Sequence, residues 1–143
     1  MFDEVLIATD GSEDAREAAE YAVDIAEKYG ARLHAVYAVD TKFSSEDRDF
    51  RKYFRRMKKT GDEITGEVEK LASERDVEVE TEVIEMKPHY AILKYADEYD
   101  IDLIVMGAEG QTGVRRILGG VTDKVTKLSD VPVLTVRKGE ETS

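Results

Sequence analysis

The chain has 143 residues, 41% of them hydrophobic, no cysteine, and a formal net charge of −11. That length fits one domain with a real core, and no apolar run approaches the ~20 residues of a membrane span. Without cysteine there are no disulfides or thiolate metal sites, and the acidic excess argues against a nucleic-acid backbone or an anionic membrane as partner.

The first residues, Met1-Phe2-Asp3-Glu4, are acidic and lead directly into an apolar stretch, unlike a secretory signal. A cytoplasmic protein is the expectation. Glu4 to Ala8 is a short apolar strand that ends at Thr9-Asp10-Gly11-Ser12, a turn and helix-start signal. From Glu13 to Lys28 the residues Ala15, Ala18, Ala19, Ala22, Ile25 and Ala26 recur on one helical face, and Tyr29-Gly30 ends the helix with glycine where a C′ residue belongs. Arg32 to Val39 reads as the second strand.

Ser44-Ser45-Glu46-Asp47 reads as the N-terminus of a second helix. Phe50, Tyr53, Phe54 and Met57 form its first apolar stripe, Thr60-Gly61 is a point of break or bend, and Ile64, Val68, Leu71 and Ala72 resume the pattern. Its first part interleaves Arg48, Arg51, Lys52, Arg55, Arg56, Lys58 and Lys59. Such a segment is either a helix with its charges in water or a dock for an acidic partner, including the acidic face of a second copy.

Val77 to Ile84 alternates apolar and acidic residues, as an edge strand with one wet face would. Pro88 suits a first helical turn, and Ala91, Ile92, Tyr95 and Ala96 supply the third helix with a buried face. Ile101 to Met106 is a near-continuous apolar run, as in a strand covered on both sides. The last helix carries Val121, Val125 and Leu128, and Val131 to Val136 closes the sheet. Five strands alternating with four helices imply right-handed βαβ units, hence an α/β domain with a doubly wound open parallel sheet and helices on both faces. The domain is expected over residues 1–138, with 139–143 as a loose tail.

Between the fourth strand and the last helix, five glycines fall within fourteen positions, from Gly107 to Gly120. Glycine there permits positive φ and close approach of a ligand, and free backbone amides in such a loop make an anion-binding concavity. The competing reading is a tight turn with no ligand. Asp10 likewise either meets a ligand or serves the turn and N-cap of the first helix.

Four landmarks occur in order: Leu6-Ile-Ala-Thr-Asp-Gly-Ser12, Leu103-Ile-Val-Met-Gly107, the glycine loop, and Pro132-Val-Leu-Thr-Val136. In these the chain resembles the universal stress protein family, from the first strand to Val136. The resemblance implies a five-stranded sheet of order 3-2-1-4-5 and a homodimer, here paired through the Val131–Val136 edge strand. It also implies a nucleotide, ATP or alternatively AMP or another nucleotide, with Mg²⁺ as its possible companion. The family's loop pattern is Gly, two residues, Gly, nine residues, then Gly followed by Ser or Thr. Gly107 and Gly110 fit its opening, and Gly120 falls at the third position, but Val121 follows it. In the alternative register Gly119-Gly120 replaces Gly-Ser. Neither register supplies the usual hydroxyl, which leaves Thr122 as a substitute.

Carried over residue by residue, the resemblance assigns Gly107, Gly110, Gly119 and Gly120 to the phosphates and Ala8, Thr9 and Asp10, with the second strand near Ala38, to the base and ribose. Met106, Val121 and Thr122 complete the expected nucleotide-binding set. Glu109 opposes a triphosphate, whereas Arg115 and Arg116 offset it. His34 and His89 have no second ligand at metal spacing and are expected to be ordinary surface or strand residues. No Walker motif, Ser-His-Asp order or paired carboxylate occurs, so the expectation is no enzyme. Two functions follow: a nucleotide-binding stress-response or signalling module acting as a homodimer on a protein partner still to be identified, or a dimeric interaction protein of the same fold that has lost the nucleotide. The acidic surface itself is compatible with a halophilic source and equally with ordinary solvation.

Overall fold

A computed structural model describes residues 1–40, 48–108 and 120–139. The elements run β1 (Glu4–Ala8), α1 (Glu13–Tyr29), β2 (Arg32–Val39), α2 (Arg48–Glu74), β3 (Val79–Glu85), α3 (Pro88–Glu98), β4 (Leu103–Gly107), α4 (Val121–Leu128) and β5 (Val133–Val136). All strand pairs are parallel and the sheet order is β3-β2-β1-β4-β5. Successive side chains of a strand point to opposite faces, and the core divides accordingly. One apolar cluster joins Val5 and Ile7 to Ala18, Ala22, Val23, Val68 and Ala72 of α1 and α2. The other joins Leu6, Val36, Ile104 and Met106 to Ile92 and Tyr95 of α3 and Val125 of α4.

Helix ends follow the local chemistry. Ser12 caps α1 by accepting from the Ala15 amide, and Gly30 closes it at φ +66°, donating to Ala26 and Glu27 carbonyls. Pro88 occupies the first turn of α3.

Several boundaries and orientations differ from the sequence expectation. The expected break at Thr60-Gly61 does not occur, because α2 runs through it. Gly61 serves proximity instead: a Cβ there would stand 2.6 Å from Tyr37 Cδ1 and 2.9 Å from Val83 Cγ2. β4 starts at Leu103, two residues after buried Ile101, since the Ile101 amide is taken by the Ala96 carbonyl of α3. β5 likewise begins at Val133, the Val131 amide being held by Ser129 Oγ. β3 is shifted to Val79–Glu85 and Val77 is buried ahead of it. Leu128, expected on the buried face of α4, is 61% exposed at the helix end. The N-terminal signal Ser44–Asp47 lies outside the described residues.

Candidate functional site

In an open parallel sheet, helices leave the carboxyl ends of the strands in opposite directions where the order reverses, and a crevice results. Here the reversal lies between β1 and β4. Ala8 pairs with Val36 on one side and with Met106 on the other. The chain beyond all three strands therefore meets around Thr9.

Thr9 is buried and its amide donates to the Val36 carbonyl at 3.0 Å, so β2 still guides the chain one residue past β1. The following turn is closed from within. Thr9 Oγ1 accepts from the Gly11 amide (3.2 Å) and Asp10 Oδ1 accepts from the Ser12 amide (2.9 Å). Gly11 stands at φ +81°, a conformation that favours glycine. Asp10 thus performs the turn role, and the cap of α1 belongs to Ser12.

Ala8, Met106 and Val121 pack together on the α3–α4 face, and the alternation of β2 puts Ala38 on that face beyond Val36. Gly107 lies on the other side of the pleat, under the start of α1. A Cβ on it would meet Ala15 N at 2.8 Å and Asp14 C and Cβ at 2.9 Å. The glycine at this position is required by helix–strand packing, whether or not a ligand is present. Beyond it the Ala108 amide donates to the Val136 carbonyl at 2.8 Å.

The glycine loop leaves from Ala108 and returns at Gly120, which is buried and forms the N-cap position of α4 with φ −68°. Thr122 Oγ1 donates to the Gly107 carbonyl at 2.9 Å. The two ends of the loop are therefore fastened together by the one hydroxyl that follows Gly120. Gly110 and Gly119 lie outside the described residues, as do Glu109, Arg115 and Arg116. The others expected at the site, Ala8, Thr9, Asp10, Ala38, Met106, Gly107, Gly120, Val121 and Thr122, share this end of the sheet.

The sequence reading missed Tyr37 and Asp14. Tyr37 neighbours Ala38 and turns to the opposite face, against Gly61 of α2. Burial pushes its phenol above the ordinary range, with smaller contributions from Tyr53 and Asp10. Tyr37, Tyr53 and Asp10 thus border the turn from the α2 side. Strand parity was the available signal, since an aromatic at 37 must face opposite to Val36. Asp14, mostly buried, accepts from the Lys138 amide at 2.7 Å, tying the segment after β5 to the first turn of α1.

His34 departs from the surface placement expected as one alternative for it. It is 1% exposed, with Nδ1 at 2.7 Å from the Tyr95 hydroxyl and Nε2 at 2.7 Å from Glu4 Oε1. It lies towards the amino ends of the strands, away from the crevice. Among the described residues no group of three or more His, Asp or Glu is placed to hold a metal ion, and no helix is long and apolar enough to cross a membrane.

The model of the universal stress protein family matches residues 1–137. A universal stress protein of Methanocaldococcus jannaschii is 36% identical over 96% of this chain and 84% of its own length. A universal stress protein solved in complex with cAMP superposes with a TM-score of 0.72 at 26% identity, over 95% of this chain and 97% of its own. One from Archaeoglobus fulgidus, solved in complex with dAMP, superposes with a TM-score of 0.66 at 22% identity, over 95% and 98% of the two chains.

Proposed function

The chain belongs to the universal stress protein family, and from that premise we propose that it is a nucleotide-binding stress-response or signalling module. The carrying observation is the convergence at the carboxyl end of β1. There Thr9 and Asp10, Met106 and Gly107, and Gly120 to Thr122 surround one crevice at the reversal of strand order. The cAMP complex of a 26%-identical relative supports an adenine nucleotide as the ligand.

In this reading the base and ribose lie against Ala8, Thr9, Asp10, Ala38 and Met106. The phosphates lie over the backbone of Gly107, Gly110, Gly119 and Gly120, next to the start of α4 with Val121 and Thr122. A helix N-terminus favours an anion through its amides and its dipole. With a triphosphate, Mg²⁺ enters as the companion of the phosphates. ATP, AMP and a cyclic nucleotide differ in how much phosphate the loop must hold. Thr122 supplies the hydroxyl after Gly120 but spends its proton on the Gly107 carbonyl, so its contribution is to hold the loop ends in register.

The module works without chemistry on the ligand. A nucleotide that binds one arrangement of the loop more tightly shifts the population towards it, and a protein partner in the cytoplasm reads the difference. The module acts as a homodimer through β5, whose outer edge is unpaired among the described residues. Exposed strand edges are usually paired or covered.

Thermal unfolding with Mg-ATP, AMP and cAMP tests the proposal. A ligand bound only by the folded state adds about 2.7 kcal/mol at a hundredfold excess over Kd. A saturable rise in Tm with one nucleotide, lost in Gly110→Val, is expected. No rise with any of them, in a folded dimer, would favour the interaction-protein reading in which the site has lapsed.

A further inference from the structure

α2 is two helices in electrostatic terms. Its first twelve residues, 48–59, hold seven of the chain's 21 cations and one carboxylate, Asp49. The next stretch, 62–74, holds Asp62, Glu63, Glu67, Glu69 and Glu74 with one cation, Lys70. The cations are concentrated on a chain whose net charge is −11.

Arg51, Lys52, Arg55, Arg56, Lys58 and Lys59 are all exposed. None of the six forms an ion pair among the described residues, although Arg16, Arg32 and Arg75 do. Beside the acidic half, Arg16 pairs with Glu67 and Arg75 with Asp24 and Glu27, whereas the six cations of the basic half have no such pair among the described residues.

A glycine marks the same exposed side. Gly66 sits inside α2, where glycine costs about 1 kcal/mol relative to alanine. Unlike Gly61, which accommodates Tyr37, a Cβ on Gly66 would meet nothing within 4 Å. Nothing among the described residues requires a small residue there. It shares the outward face with Lys52, Arg55, Arg56, Lys59, Glu63 and Lys70, opposite the buried line of Phe50, Gly61, Thr65, Val68 and Ala72. Beside the acidic half lies a groove of about 370 Å³ between α1 and α2, lined by Glu20, Tyr21, Asp24, Leu71, Glu74 and Arg75 among others. Arg75 is held there by Asp24 and Glu27 at 2.8 and 2.6 Å, and among the described residues the lining carboxylates Glu20 and Glu74 form no ion pair.

We propose that this face is an interaction surface for a second copy of the chain, with the two α2 helices antiparallel about a two-fold axis. Two-fold symmetry makes an interface self-complementary. A helix that is basic in one half and acidic in the other satisfies that condition only when antiparallel. The basic half of each copy then lies over the acidic half and the α1–α2 groove of the other, and Gly66 permits the backbones to approach. This contact is distinct from pairing through β5 and does not depend on nucleotide.

Sedimentation velocity over a concentration series tests it, using the intact chain and two charge-reversed variants. One is Lys52→Glu/Arg55→Glu/Lys59→Glu, the other Glu63→Lys/Glu69→Lys/Glu74→Lys, each checked for native circular dichroism. Each variant alone should associate about tenfold or more weakly, since several like charges would face each other in a partly screened setting. An equimolar mixture should recover the association, because the reversed positions of each variant then face charges of opposite sign on the other. If pairing through β5 also forms, the sensitive step is dimer to tetramer. The proposal is overturned if association is unchanged in both variants, if the mixture does not recover it, or if the chain shows no salt-sensitive association. Binding of an added RNA through the basic half, without self-association, would also overturn it and assign the surface to a polyanion.

Discussion

The two ends of β1 and β2 carry polar groups under opposite regimes. At the amino end, His34 is buried and both ring nitrogens are occupied, one by Tyr95 and the other by Glu4. Tyr95 in turn stacks on Tyr99 with ring centroids 4.3 Å apart. At the carboxyl end, Thr9, Asp10 and Ser12 bend their oxygens back onto the amides of the turn, and Gly107 gives up a side chain so that α1 can pack. The first arrangement consumes side chains on one another and has no room for a ligand. The second uses side chains to shape backbone, which leaves the crevice to whatever enters. The difference separates a polar cluster that builds the core from one that frames the proposed site.

Removing the glycine at the carboxyl end should have the largest effect. Gly107→Val puts a branched side chain where a single Cβ already stands 2.8 Å from the Ala15 amide nitrogen. Overpacking of that kind costs about 1–3 kcal/mol and sometimes more, so urea unfolding should show a loss of about 3 kcal/mol or more. A loss under 0.5 kcal/mol would mean that α1 yields freely there, and the packing account of Gly107 would fail.

The amino-end cluster should come next. Tyr95→Phe leaves a buried ring nitrogen of His34 without its partner, a loss of about 1–3 kcal/mol. The same substitution should alter the alkaline limb of stability. Burial, followed by Glu82, Tyr99, Glu80 and Glu4, raises the Tyr95 phenol above its ordinary value of 10.0. A group raised on folding contributes stability that is complete below its unfolded pKa and is lost as pH rises through the folded one. The intact chain should therefore lose stability above about pH 10 more steeply than Tyr95→Phe. Equal slopes in pH-dependent unfolding would contradict this.

Smaller losses are expected around the turn. Ser12→Ala removes the cap of α1 and should cost about 1 kcal/mol. Thr122→Val removes one hydrogen bond to the Gly107 carbonyl, about 0.5–1.5 kcal/mol. Its effect on nucleotide affinity should exceed its effect on stability, because the bond fastens the loop ends. An affinity unchanged in Thr122→Val would remove that residue from the site.

The strands, helices and overall architecture were legible because hydrophobic runs and caps are local signals. Ser12, Gly30 and Pro88 act where their chemistry places them. What the sequence left hidden depends on distant partners. Gly61 reads as a helix breaker until Tyr37 and Val83 are seen against it. Gly107 reads as a phosphate glycine until α1 lies over it. His34, expected as an ordinary surface or strand residue, proves to be a strand residue wholly inside, because Tyr95, 61 residues further on, and Glu4 converge on it. Ile101 and Val131 are apolar enough to read as strand, yet the Ala96 carbonyl and Ser129 Oγ take their amides before the ladders begin. The motif residues on β1 and β4 and around Gly120 were legible as a group, and they share the carboxyl end of the sheet. Tyr37 was not, since its approach to the Asp10 turn arises only when α2 packs on β2.

The most direct test of the contrast is an amide chemical-shift titration of the intact chain with AMP and with Mg-ATP. A saturable response centred on Ala8 to Ser12, Ala38, Met106 to Ala108 and Gly120 to Thr122, with His34 and Tyr95 unmoved, is the predicted result. Saturable shifts centred on the amino-end cluster, or none at millimolar nucleotide, would contradict the claim that the carboxyl end of β1 frames the ligand site.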